Sequence, residues 1–147
     1  MTTKEKKAFL GRYQELEAEE RDIREEIARW ESRAQKVTAS WSSAPGGGAG
    51  ADKVQDGAIN LVQLQKQLEE KAETLARVRI EIERAIGTVK NDTQRRLLRL
   101  RYIKGLTWER IAMEMHYGYQ WVCKLHGKAL LQVEVKQAIE SDTHPVL

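Results

Sequence analysis

The chain has 147 residues, 32% of them charged, with a mean hydropathy of −0.61 and a net charge of +3. An aromatic content of 6% is too low for a large globular core, and no apolar run approaches the roughly 20 residues that a bilayer-spanning helix needs. One cysteine excludes an internal disulfide and fits a reducing cytoplasm, and the N-terminus lacks the apolar core of a secretion signal.

The charge is unevenly spread. Residues 1–89 hold 15 Lys/Arg against 16 Asp/Glu, residues 90–136 hold 10 against 4, and the last eleven carry two acids and no base. A neutral first part joined to a basic second part places a polyanion-facing surface after residue 90.

In the first part, Phe9, Leu16, Ile23, Trp30 and Val37 recur every seven residues, with Tyr13, Glu20, Ile27, Ala34 and Trp41 four residues behind them. That spacing predicts a coiled-coil helix over about residues 3–39, interrupted only by the charge of Glu20. Residues 40–52, SWSSAPGGGAGAD, contain Pro45 and four glycines and are expected to form a flexible loop. A second repeat follows in Leu61, Leu68, Leu75, Ile82 and Val89, accompanied by Leu64, Val78 and Ala85, with Lys71 as the exception. Two repeats of matching length predict an antiparallel helical hairpin over residues 1–89, with Trp30 near Leu61 or Val62, Ile23 near Leu68 and Leu16 near Leu75. Ala58, Val62, Ala76 and Ile80 widen the apolar arc of the second helix beyond what one partner covers. That flank is expected either to meet the C-terminal domain or, as the preferred reading, to join two hairpins in a homodimer.

Residues 90–136 read as three shorter helices, with 137–147 as a tail. Asn91 or Asp92 caps the first, which carries Leu97, Leu100 and Ile103 on one side and ends at Gly105. Thr107 caps the second, with Ile111, Ala112 and Met115 inward, and His116, Tyr117 and Gly118 make a short turn. The third buries Val122, Leu125 and Ala129, and Trp121 is expected to pack in the core. The small Ala112 suits a close helix crossing. Helix, glycine-containing turn, helix, behind a basic supporting helix, predicts a trihelical helix-turn-helix. The expected fold is therefore all-α, an antiparallel coiled-coil hairpin followed by that module.

Residues 97–130, LLRLRYIKGLTWERIAMEMHYGYQWVCKLHGKAL, resemble the promoter-reading region 4 of sigma-70-type factors, and the region-4-like module behind a hairpin is similar to phage-encoded transcription regulators of Gram-positive bacteria. The resemblance implies a protein acting on phage late promoters in the cytoplasm of a bacterial host, at the nucleoid, with RNA polymerase as a partner. It departs from the sigma pattern in placing Gly118 where Ser or Thr usually caps the recognition helix. No segment resembles the promoter-melting part of a sigma factor.

The N-terminal turns of a recognition helix enter the major groove, which makes Tyr119, Gln120, Cys123 and Lys124 the candidate base-facing residues on double-stranded DNA. Arg95, Arg96, Arg99, Lys104, Thr107, Arg110 and Lys128 are candidate phosphate contacts, which orient without specifying sequence. Cys123 and His126 share a helix face at i,i+3, but the paired-ligand spacing of a zinc module is missing, so no metal or other cofactor is expected. No nucleophile–base set and no phosphate-cradling glycine loop is present, since GGGAG lacks the Lys-Ser/Thr ending, and no enzyme activity is expected. Two other functions fit the same pattern: a small terminase-like DNA-packaging protein, and a helical adaptor that binds only protein.

Overall fold

The computed structural model describes residues 1–43 and 48–136, with side chains for 1–36 and 55–136. The described residues form five α-helices and no strand: α1, Thr3–Ser43; α2, Gly48–Gly87; α3, Asp92–Leu98; α4, Trp108–Met115; and α5, Tyr119–Gln132. A π-helical turn, Arg99–Ile103, extends α3. No helix among the described residues is long and apolar enough to cross a membrane.

Helix extends further into residues 40–52 than composition suggests. Residues 40–43 continue α1 and residues 48–52 belong to α2, although both stretches fall in the expected loop. A glycine costs a helix only about 1 kcal/mol, which neighbouring alanines offset in part. The rest of that loop, 44–47, and the tail 137–147 lie outside the described residues.

The chain separates into two compact units, one made of Leu16–Ala76 and the other of Met1–Glu15 with the chain from Arg77 onward. In the first unit the two helices pair antiparallel. Lys71 meets Glu19 at 2.5 Å, and the Trp30 ring lies over Gly57, 3.8 Å from where a Cβ would stand. The expected partner of Trp30 was one turn further along. Ile27 is buried, while Leu16, Ile23, Leu61, Leu64, Leu68 and Leu75 are half-buried. This seam is narrow, as a pair of helices without a third layer must be.

Most of the core lies in the second unit. Leu10 from α1, Ile82 and Ile86 from α2, and Val89 just after it are fully buried, as are Leu97, Leu98, Ile111, Val122, Ala129 and Leu130. At about 1.5–3 kcal/mol for each large apolar side chain buried, this cluster dominates the stability of the unit. Polar bonds reach between its elements as well. Lys6 Nζ donates to the Leu130 carbonyl at 3.0 Å, which also accepts from Val133 N at 3.2 Å, at the end of α5 where intrahelical donors run out. Glu134 N donates to Thr88 Oγ1 at 2.9 Å, and Arg12 pairs with Glu81 at 2.6 Å.

Candidate nucleic-acid interface

Helices α3 and α4 each start where a side chain accepts from a free N–H group. Asn91 Oδ1 takes the Gln94 amide at 2.9 Å, and Thr107 Oγ1 takes that of Arg110 at 3.2 Å. Between them, the π turn closes with Lys104 N donating to the Arg99 carbonyl at 3.0 Å. Gly105 follows at φ 74°, with Gln14 Nε2 only 2.9 Å from the place of a Cβ. The same Gln14 nitrogen donates to the Arg101 carbonyl at 2.7 Å. The positive φ favours a glycine here, and a Cβ would require the end of the Gln14 side chain to shift.

The turn between α4 and α5 falls at the expected residues, 116–118. His116 takes the left-handed conformation, at φ 59° and ψ 40°. Gly118 is extended, at φ −72° and ψ 153°, and stands at the N-cap of α5 without a side chain to cap it. Tyr117 N donates to the Ala112 carbonyl at 3.0 Å, closing the C-terminus of α4. Ala112 is buried, together with Ile111 and Met115, and α5 packs on both α3 and α4.

Val122, Leu125, His126, Ala129 and Leu130 form the buried side of α5. Tyr119, Gln120, Cys123, Lys124 and Lys128 are all exposed. No Asp or Glu occurs in α5. Cys123 beside it pushes the Tyr119 phenol up from its ordinary value. Trp121 does not pack in the core: it is 45% exposed, and Lys128 Nζ sits 5.3 Å from its ring centroid. Val122 occupies the inward azimuth, and one residue of rotation turns Trp121 about 100° away from it.

The remaining basic candidates divide by what already holds them. Arg96, Arg99 and Lys104 are exposed. Arg110 is exposed and pairs with Glu114 at 3.3 Å. Arg95 is half-buried; it donates to the Val89 carbonyl at 2.7 Å and the Lys90 carbonyl at 3.0 Å, and pairs with Asp92. Its guanidinium therefore ties the link between α2 and α3 to the first turn of α3. Thr107 keeps its hydroxyl at the α4 cap.

Sequence reasoning missed a buried polar pair. Tyr102 OH and His126 Nε2 are 2.7 Å apart, with the Trp108 ring 4.5 Å from that of His126. Burial first, then the positive charges of Lys7 and Arg101, push His126 down to about 4. Burial also pushes Tyr102 up to about 12. Both are neutral near pH 7. Periodicity marks the buried azimuth of His126, but not the phenol that meets it there. Cys123 stays exposed on the same flank, and among the described residues no three His, Cys, Asp or Glu side chains gather as a metal site would require.

The described residues thus define an all-helical protein with a long helical pair and a cluster of short helices, one of which presents an acid-free exposed face. A family model for proteins of unknown function, DUF1492, matches residues 36–134, and the chain belongs to that family. No curated protein and no solved structure matches it.

Proposed function

We propose that the protein is a sequence-specific DNA-binding transcription regulator, with α4 and α5 as a helix-turn-helix, α3 as its support, and the helical pair as a coiled-coil hairpin. The observation that carries this reading is the exposed face of α5. It offers Gln120 and Lys124 in the first turns, Tyr119 and Cys123 beside them, and no carboxylate. Such a face suits the major groove, where glutamine pairs with adenine N6/N7 and lysine with guanine O6/N7. Arg96, Arg99, Lys104 and Lys128 supply exposed cations for the flanking phosphates. The likeness to phage regulators adds phage late promoters as the site of action and host RNA polymerase as a partner. Val62 and Ile80, 65% and 51% exposed on α2, support a homodimer formed through the hairpin.

The test is to select bound fragments from phage genomic DNA, then to compare two variants on the selected site. Gln120→Ala should flatten the preference at one or two base pairs, a loss of about 1–3 kcal/mol of discrimination. Lys104→Ala should weaken all sequences alike and reduce the salt slope by about 0.9. A wild-type protein that selects no sequence, or variants with unchanged preference and slope, would remove the DNA reading.

A further inference from the structure

Beside the exposed face of α5 lies an open hollow of about 520 Å³, walled by the first turns of α1, the π turn, the start of α4 and the flank of α5. Its charged lining residues are Lys7 and Arg101, and no carboxylate lines it. Lys7 is exposed and makes no ion pair with a described residue. Arg101 is held in place rather than neutralised. Its guanidinium lies 4.3 Å from the Trp108 ring centroid, and Nη1 donates to the Leu106 carbonyl at 3.0 Å. A guanidinium has five N–H donors, so others remain for a ligand. Cys123 and the neutral His126 both stand on the α5 wall. Two cations facing a concave surface without a counter-charge attract an anion, and low-dielectric walls strengthen the attraction.

We propose that this hollow is a phosphate-binding site in which Lys7 and Arg101 hold the oxyanion. Arg101 is the fixed partner, because its stacking and its bond to Leu106 orient the planar group for two-point contact with phosphate. Lys7 is the mobile partner, a point charge on a flexible stem. The site brings the first helix, neutral in overall composition, up to the α5 face. That phosphate is either part of a DNA backbone, which rests on the DNA reading above, or a free phosphate or phosphomonoester.

Inorganic phosphate, titrated against chloride at constant ionic strength into DNA-free full-length protein, separates these outcomes. The NMR signals of the Trp108 indole and the His126 ring should shift saturably, and the His126 titration should move to higher pH as the anion binds. Both effects should be lost in Lys7→Gln and retained in Lys90→Gln, which alters an exposed lysine elsewhere. If Lys7→Gln also lowers the salt slope of DNA binding by about 0.9, the bound group belongs to the DNA backbone. If phosphate saturates the site but the slope is unchanged, the ligand is a free phosphate. Should the protein bind no DNA at all, the phosphate titration still decides the proposal. Signals that fail to saturate, or that saturate equally in Lys7→Gln, overturn it.

Discussion

His126 is 7% exposed, and its ring loses the solvation that an imidazolium would need. Its proton affinity drops from a pKa of 6.5 to about 4, through burial and then through Lys7 and Arg101. Unfolding restores the ordinary value, so the unfolded chain binds the proton first as pH falls. The stabilisation associated with the neutral ring is therefore complete above pH 6.5 and is lost as pH falls toward about 4. Denaturation midpoints should decline across that window, with unfolding taking up about one extra proton per chain from this site. An NMR titration that finds the folded ring protonating near pH 6.5 would refute this account of the burial. Ala112 sets a steric limit at the same scale. Its buried methyl lies where α4 is capped by Tyr117, and Ala112→Leu should cost about 1–3 kcal/mol by overpacking.

The helices of the C-terminal unit are short, and α3 and α4 have only seven and eight residues. Elements of that length are marginal without tertiary contacts and depend on their ends. Thr107→Ala removes the hydroxyl that accepts the Arg110 amide and should destabilise by about 1 kcal/mol. Gly118→Ser has the opposite sign. There is open space around Gly118 and its backbone is extended, so a serine hydroxyl there can cap α5 for a gain of a few tenths of a kcal/mol. Chemical denaturation of the two variants checks both, and a destabilised Gly118→Ser would show that a side chain is not tolerated at the turn. These ends were largely readable in advance. Asn91 and Thr107 cap where their side chains and neighbours suggested, because capping is decided within four residues. The left-handed residue was not, since residue order marks the turn at 116–118 but not which residue takes that angle. His116 takes that angle because Tyr117 N is drawn back to the Ala112 carbonyl.

At the scale of the molecule, apolar surface remains uncovered on α2. Val62 and Ile80 are more than half exposed, and desolvating two such side chains is worth a few kcal/mol per chain, of the order of about 1.5–3 each. On the homodimer proposal, light scattering should give twice the 16.9 kDa chain mass, and Ile80→Glu should yield helical monomers with weakened DNA binding. A wild-type protein that scatters as a monomer at high micromolar concentration ends that proposal. The heptads already showed that this flank exceeds the needs of a hairpin. They did not show where the main core would form. Leu10, Ile86 and Leu98 are fully buried yet belong to no predicted stripe, because the ends of a long helical pair bury whatever faces the third element docked against them.

Two kinds of physics divide what could be read along the chain from what could not. Helix periodicity, N-caps and the inward sets Ile111, Ala112, Met115 and Val122, Leu125, Ala129 follow from interactions within one or two turns, so local residue order decides them. The exposure of Trp121, the bonding of Arg95 to the link after α2, the Tyr102–His126 pair and the shared hollow of Lys7 and Arg101 depend on residues between six and 94 positions apart. Only the packed chain decides them, because burial and electrostatic potential at a side chain are set by whichever element lies across from it.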